Sequence, residues 1–199
     1  MMDFALNFCG WTCLLCLGLN RLGKLKWAGG GKPLLLAAAL LAIVILIVPR
    51  PFLPVSLFQV LRGLCAGLSV SAVTLLIALL WQNATGRKGF ADGERTWLPV
   101  ILTLIALCFY PFALGFSAID PYAWGFDGAL ALPLTVGIAA LLAWLSDWRV
   151  SALALVLALA IWRLQGLESS NLWDALFDPL LMFGALSVLV GRLLRKRSA

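Results

Sequence analysis

Apolar residues in this chain run in continuous stretches instead of alternating, and short polar segments separate them. Seven stretches can be drawn, at 3–19, 33–49, 56–81, 97–116, 128–146, 150–167 and 178–194. A helix needs about 17–25 apolar residues to cross a hydrocarbon core roughly 30 Å thick. Only helices and closed barrels satisfy their backbone polar groups in lipid. The absence of alternation selects helices. The expected fold is an all-α, polytopic integral membrane bundle of about seven transmembrane helices, with residues 1–199 forming a single transmembrane domain. The second, sixth and seventh stretches are at the short end and would borrow interfacial residues.

Charge placement predicts an orientation. Arg21, Lys24, Lys26 and Lys32 follow the first stretch, and Arg87, Lys88 and Arg95 follow the third. Arg149 follows the fifth, and Arg192, Arg195, Lys196 and Arg197 close the chain. Of 15 basic residues, only Arg50, Arg62 and Arg163 fall on the other side. Positive residues mark the cytoplasmic side. The N-terminus is therefore expected outside and the C-terminus inside. Asp3, Asp120, Asp127, Glu168, Asp174 and Asp178 then face outward, while Asp92, Glu94 and Asp147 face inward. The opening MMDFALNFCGW lacks a basic flank and a small-residue cleavage site, so the first stretch reads as a span and not as a signal peptide.

Composition strengthens the membrane reading. The chain is 63% hydrophobic and 12% charged, against about 45–50% and about 25% in ordinary soluble domains. A net charge of +6 does not imply nucleic acid, because the basic residues punctuate apolar runs instead of lining one surface. The expected partners are membrane lipid and other membrane protein subunits. Histidine is absent, which excludes histidine-ligated haem, histidine zinc sites and Ser-His or Cys-His catalysis.

Two motifs fail on inspection. Cys9, Cys13 and Cys16 have a spacing that resembles the iron–sulfur motif of radical S-adenosylmethionine enzymes, which are soluble α/β barrels. Inside an apolar run the same spacing puts three small packing residues on one helix face. WAGGGK resembles a phosphate loop superficially, but Lys26 stands where the first glycine belongs and Pro33 where Ser or Thr belongs. No metal or cofactor is expected.

The outer loops hold the remaining chemistry. Asp178-Pro179 reads as a helix start, with Asp as cap and Pro first in the helix. Asn171-Leu-Trp-Asp174 resembles a capping box with Asp in the Glu position. Asp120-Pro121 reads in the same way, and the two Asp-Pro loops hint at a duplicated hairpin, stretches four–five and six–seven. Tyr122, Trp124, Phe126 and Trp173 fit an interfacial aromatic belt. Gly63, Gly67 and Ser71 have small-xxx-small spacing for helix packing, and Pro111 and Pro133 are expected kinks. Arg62 and Arg163 lie inside apolar runs near their outer ends. Each either snorkels to the interface or turns inward to meet the acids. In the second case Arg50, Arg62, Arg163, Asp120, Asp127, Glu168, Asp174 and Asp178 form an outward-facing polar cluster.

Three functions follow as expectations. The first is a non-catalytic integral membrane subunit, a scaffold or accessory of a larger cell-envelope complex in a bacterial inner membrane. The second is a small-solute or ion transporter or channel component. The third is an outer-leaflet enzyme acting on a lipid phosphate or lipid-linked sugar, with the three arginines holding phosphate and an outer acid as base.

Overall fold

Runs rich in Leu and Ala favour helix, and helix dominates what forms. The computed structural model describes residues 2–22, 39, 42, 43, 46, 49, 50, 53–65, 67–116, 118–126 and 130–197. These residues form, in chain order, α1 (Met2–Leu22), β1 (Pro49–Arg50), β2 (Leu53–Ser56), α2 (Leu57–Cys65), α3 (Val70–Thr85) and α4 (Asp92–Ala113). A 3-10 turn (Tyr122–Gly125), α5 (Ala131–Leu145), α6 (Arg149–Arg163), α7 (Leu172–Leu176) and α8 (Pro179–Arg197) follow. The chain divides into two compact units, residues 1–68 with 73–89, and residues 69–72 with 90–199.

In the first unit, α1 meets α2 through aromatic edges. Phe58 packs edge-on against Phe4 and Phe8, with ring centroids 5.0 and 5.5 Å apart. β1 and β2 pair antiparallel, Pro49 opposite Ser56 and Arg50 opposite Leu53. The apolar pattern gave no hint of this ribbon. Ser56 then opens α2 with a reciprocal box. Its hydroxyl oxygen accepts the Gln59 N–H at 3.3 Å, and Gln59 Oε1 accepts the Ser56 N–H at 2.8 Å.

The third stretch, expected as one helix over 56–81, is broken. α2 ends at Cys65 and α3 begins at Val70. Gly67 holds φ at +118°, a left-handed value that glycine adopts without a Cβ clash. The Leu68 N–H leaves the helix ladder and donates to Asn7 Oδ1 at 2.6 Å, so the break does not orphan it. Gly63, Gly67 and Ser71 therefore do not share one helix face. Gly63 is exposed on α2, Gly67 lies in the break, and Ser71 is buried in the first turn of α3.

In the second unit, α4 and α8 pack antiparallel around Leu102, Met182 and Ala185, with Tyr110, Phe177 and Leu181 against this core. Near the start of α4, the Arg192 guanidinium donates to the carbonyl oxygens of Arg95 and Thr96 at 2.7 and 2.9 Å. α5 and α6 form a hairpin. Its turn closes with Asp147 at φ +59° and the Trp148 N–H on the Ala143 carbonyl at 2.8 Å. α6 ends in the same way, with Gln165 at φ +51° and the Gly166 N–H on the Ile161 carbonyl at 2.9 Å. Both are six-to-one helix ends that normally carry glycine.

These early stops bear on the expected span count. Among the described residues only α4, with 22 residues, is long and apolar enough to cross a bilayer. α3, α5 and α6 have 16, 15 and 15 residues. At 1.5 Å per residue that is about 22–24 Å, short of a core about 30 Å thick. The mostly helical fold stands, and a bundle of seven full spans is not confirmed. The expected helix at 33–49 lies almost wholly outside the described residues. Pro111 falls in the last turn of α4, and Pro133 in the first turn of α5, where its missing N–H breaks no bond.

Gln165→Gly should stabilise the protein. A side chain in the left-handed region costs about 1–2 kcal/mol, partly offset by the greater unfolded freedom of glycine. A net gain of about 0.5–1 kcal/mol should appear as a higher thermal midpoint. A lower midpoint would show that Gln165 makes a contact worth more than its strain.

Candidate functional site

The buried polar groups of the second unit gather at helix starts. Asp178, 5% exposed, immediately precedes Pro179 at the head of α8. Its Oδ1 accepts the Leu181 N–H at 2.8 Å, capping its own helix. Its Oδ2 accepts both the N–H and the hydroxyl of Ser69, at 2.9 and 2.6 Å. Ser69 Oγ in turn accepts the Ala72 N–H at 3.1 Å, capping α3. One carboxylate thus serves two helix starts.

Glu94 does the same elsewhere. It is fully buried in the first turn of α4, and its Oε2 accepts the Ala91 N–H at 3.2 Å. Its Oε1 accepts the N–H and hydroxyl of Ser151, in the first turn of α6, at 2.6 and 2.7 Å. Three donors surround each carboxylate, so neither ion is left unsatisfied in the interior.

A third cluster ties the loop at 120–126 to the loop at 169–178. Asn171 is buried and caps α7, its Oδ1 taking the Trp173 N–H at 2.9 Å while its Nδ2 donates to the Tyr122 carbonyl at 2.9 Å. Trp173 Nε1 donates to the Pro121 carbonyl at 2.8 Å. The Tyr122 hydroxyl donates to Asp174 Oδ2 at 2.9 Å. Asp120 Oδ1 accepts the N–H groups of Tyr122 and Ala123 at 3.0 and 3.3 Å. Gly125 lies so close that a Cβ there would stand 1.8 Å from Asn171 Oδ1. No other residue fits without parting the loops.

In the first unit, Arg62 Nη2 pairs with Asp3 Oδ2 at 2.9 Å, the two side chains 27% and 16% exposed. Asn7 Nδ2 donates to the Asp3 carbonyl and to Asp3 Oδ1, at 3.0 and 3.2 Å. An acid that meets Arg62 is therefore in α1.

Each described residue of the expected outward cluster has its own setting. Asp120 and Asp174 belong to the loop tie, and Asp178 to a helix joint. Arg163 and Glu168 are exposed, and Arg163 makes no ion pair among the described residues. Asp127 and the Arg50 side chain lie outside the described residues. Cys13 and Cys16 are buried in α1, and Cys9 is exposed. Sequence reasoning missed Glu94, Ser151 and Ser69. The acids opening α4 were a signal for the first, and a serine at the head of an apolar run for the other two. Comparison with protein-family models, curated proteins and solved structures finds no match to this chain.

Burial, and then the hydrogen bond to Asp174, push the Tyr122 hydroxyl up from 10.0 to about 12. Between those values the folded chain keeps a proton that the unfolded chain releases, so stability falls as pH rises through the window. It is fully present below pH 10. Tyr122→Phe should flatten the fall in thermal midpoint between pH 10 and 12. An unchanged slope would assign the alkaline loss to another group.

Arg62→Leu should lower stability, because it removes the cation beside a largely buried carboxylate. The cost should fall between the about 0–1 kcal/mol of an exposed pair and the about 3–5 kcal/mol of a buried one. Arg163→Leu should leave the thermal midpoint unchanged. Equal effects from both would refute the distinction between them.

Proposed function

We propose that the chain is a multi-pass integral membrane protein, built on about seven hydrophobic segments, that serves as a non-catalytic subunit of a larger membrane complex in a bacterial inner membrane. The observation that carries this reading is where its apolar surface lies. α4 is barely buried, and it exposes Ile101, Leu104 and Leu107 at 38%, 56% and 66%. Leu134, Ile138 and Leu142 of α5, Leu153 and Val156 of α6, and Phe183 and Leu186 of α8 are exposed as well. Helices apolar on their outer faces, over buried and hydrogen-bonded carboxylates, suit hydrocarbon surroundings. The shorter helices reach their interfaces through local bilayer thinning and flanking residues.

The charges of the second unit support the orientation. Arg95 and Arg192 gather at the start of α4, and Ser151 bonds Glu94 close to Arg149 at the same end. Asp120, Asp174 and Asp178 belong to the opposite end, beside Tyr122 and the head of α8. The basic end faces the cytoplasm.

A partner subunit has a place to dock. A groove of about 650 Å³ runs along the α5–α6 hairpin, lined by Gly137, Ala140, Leu141, Ala152, Val156 and Ala160. Small residues let a transmembrane helix of the partner approach closely.

The protein should resist carbonate extraction from membranes. A reporter active only in the cytoplasm should work when fused after Ala199 and be silent when inserted after Tyr122. Mild detergent should recover a stoichiometric membrane partner, and Gly137→Phe should release it without removing the chain from the membrane. A reversed reporter pattern refutes the orientation, and recovery of the chain alone refutes the subunit role.

A further inference from the structure

Pro99 lies inside α4. Proline has no N–H and cannot bond the carbonyl four residues back, so the Arg95 oxygen loses its helical donor. Arg192 of α8 supplies a replacement. Its Nη2 donates to the Arg95 oxygen at 2.7 Å, and its Nη1 to the Thr96 oxygen at 2.9 Å. The Arg192 guanidinium is therefore held in a set place against the backbone of α4.

Carbonyl oxygens fix that cation but do not neutralise it. Among the described residues, Arg95, Arg192 and Arg195 take part in no ion pair. Acids close by in the unit are engaged elsewhere. Glu94 is buried on Ser151 and the Ala91 N–H, and Asp147 pairs with Arg149 at 3.3 Å. Arg95 lies two turns before Leu102 and Arg192 two turns after Ala185, and Leu102 and Ala185 form the α4–α8 core. By helical register both arginines continue the seam to its end. Arg195 folds back along α8, its Nε donating to the Gly191 carbonyl at 3.2 Å. Three cations thus gather where the apolar seam stops, and like charges repel unless an anion lies among them. Each helix also carries an exposed apolar stripe leading away from them. These are Trp97, Ile101 and Leu104 on α4, and Leu193, Val190 and Leu186 on α8.

We propose that this basic end of the α4–α8 seam binds the headgroup phosphate of an anionic phospholipid, with Arg192 as its fixed member and Arg95 and Arg195 beside it. The planar N–H forks of guanidinium groups match phosphate oxygens, and basic groups at the cytoplasmic ends of membrane helices attract anionic lipid. The acyl chains lie on the two apolar stripes. This inference rests on the membrane reading and not on the subunit role.

Native mass spectrometry of the full chain in mild detergent, titrated with phosphatidylglycerol or phosphatidylcholine, tests it. Phosphatidylglycerol should bind about tenfold more tightly, and excess inorganic phosphate should not displace it. Arg195→Gln should weaken that binding about fivefold. Arg195 bonds only its own helix, so this variant should fold even where an Arg192 variant does not. Arg192→Gln should weaken binding at least as much, and Arg192→Lys, which keeps the charge but loses the double seat, should fall between it and the native chain. Arg149→Gln removes an exposed cation at the same end, already paired with Asp147, and should leave binding unchanged. Equal binding of the two lipids overturns the proposal. So does displacement by inorganic phosphate, or the same loss from Arg149→Gln as from Arg195→Gln. No partner subunit is needed, so failure of the subunit role leaves the result readable. A chain that carbonate strips from membranes refutes the membrane reading, and this proposal with it.

Discussion

A helix start carries about half a positive charge from its aligned peptide dipoles and its unbonded N–H groups. A carboxylate carries one full negative charge. Bringing two helix starts to one carboxylate therefore comes close to neutralising it without any lysine or arginine. The second unit does this twice, at Asp178 and at Glu94. In a medium of low dielectric the arrangement matters more than it would in water, because an isolated ion there costs far more than its hydrogen bonds return. The positions of α3's first turn, α4, α6 and α8 all depend on these two ions.

The same constraint accounts for the way polarity is distributed. Charged groups are either drawn into joints and loop ties or left near helix ends, and the outer helix faces are left to Leu, Ile, Val and Phe. The loop tie around Asn171 extends the logic to irregular backbone. Asn171 and Trp173 donate across it to the carbonyls of Tyr122 and Pro121, so the connections at that end are closed by side chains around a 3-10 turn and the short α7.

Much of the helical plan was legible in the residues. Asp178-Pro179 and Asn171 announce helix starts by local chemistry, and both cap as their neighbours imply. What escaped was set by partners distant in the chain. Glu94 sits among Arg87, Lys88 and Arg95 and reads as loop, because its burial comes from Ser151, 57 residues on. Gly67 reads as a packing residue within an apolar run. Only the side chain of Asn7, 61 residues before Leu68, makes a break there tolerable. Arg62 points to acids by topology, but an acid it meets is in the first helix. Hydrophobic pattern fixes which segments are helical, and it carries little about where tertiary bonds interrupt them.

The spacing of the two joints also orders assembly in time. Ser151 and Glu94 are 57 residues apart, and Ser69 and Asp178 are 109 apart. A ribosome adds about 5–20 residues per second, so the first joint can close seconds before the residues of the second have all been made. Until then the N–H and hydroxyl of Ser69 must find other acceptors. Seating of the start of α3 on Asp178 therefore waits until the head of α8 has been made. A chain stalled before residue 178 holds the α4–α6 joint but lacks the carboxylate that seats the start of α3, which would give quality-control proteases a clear mark of an unfinished product.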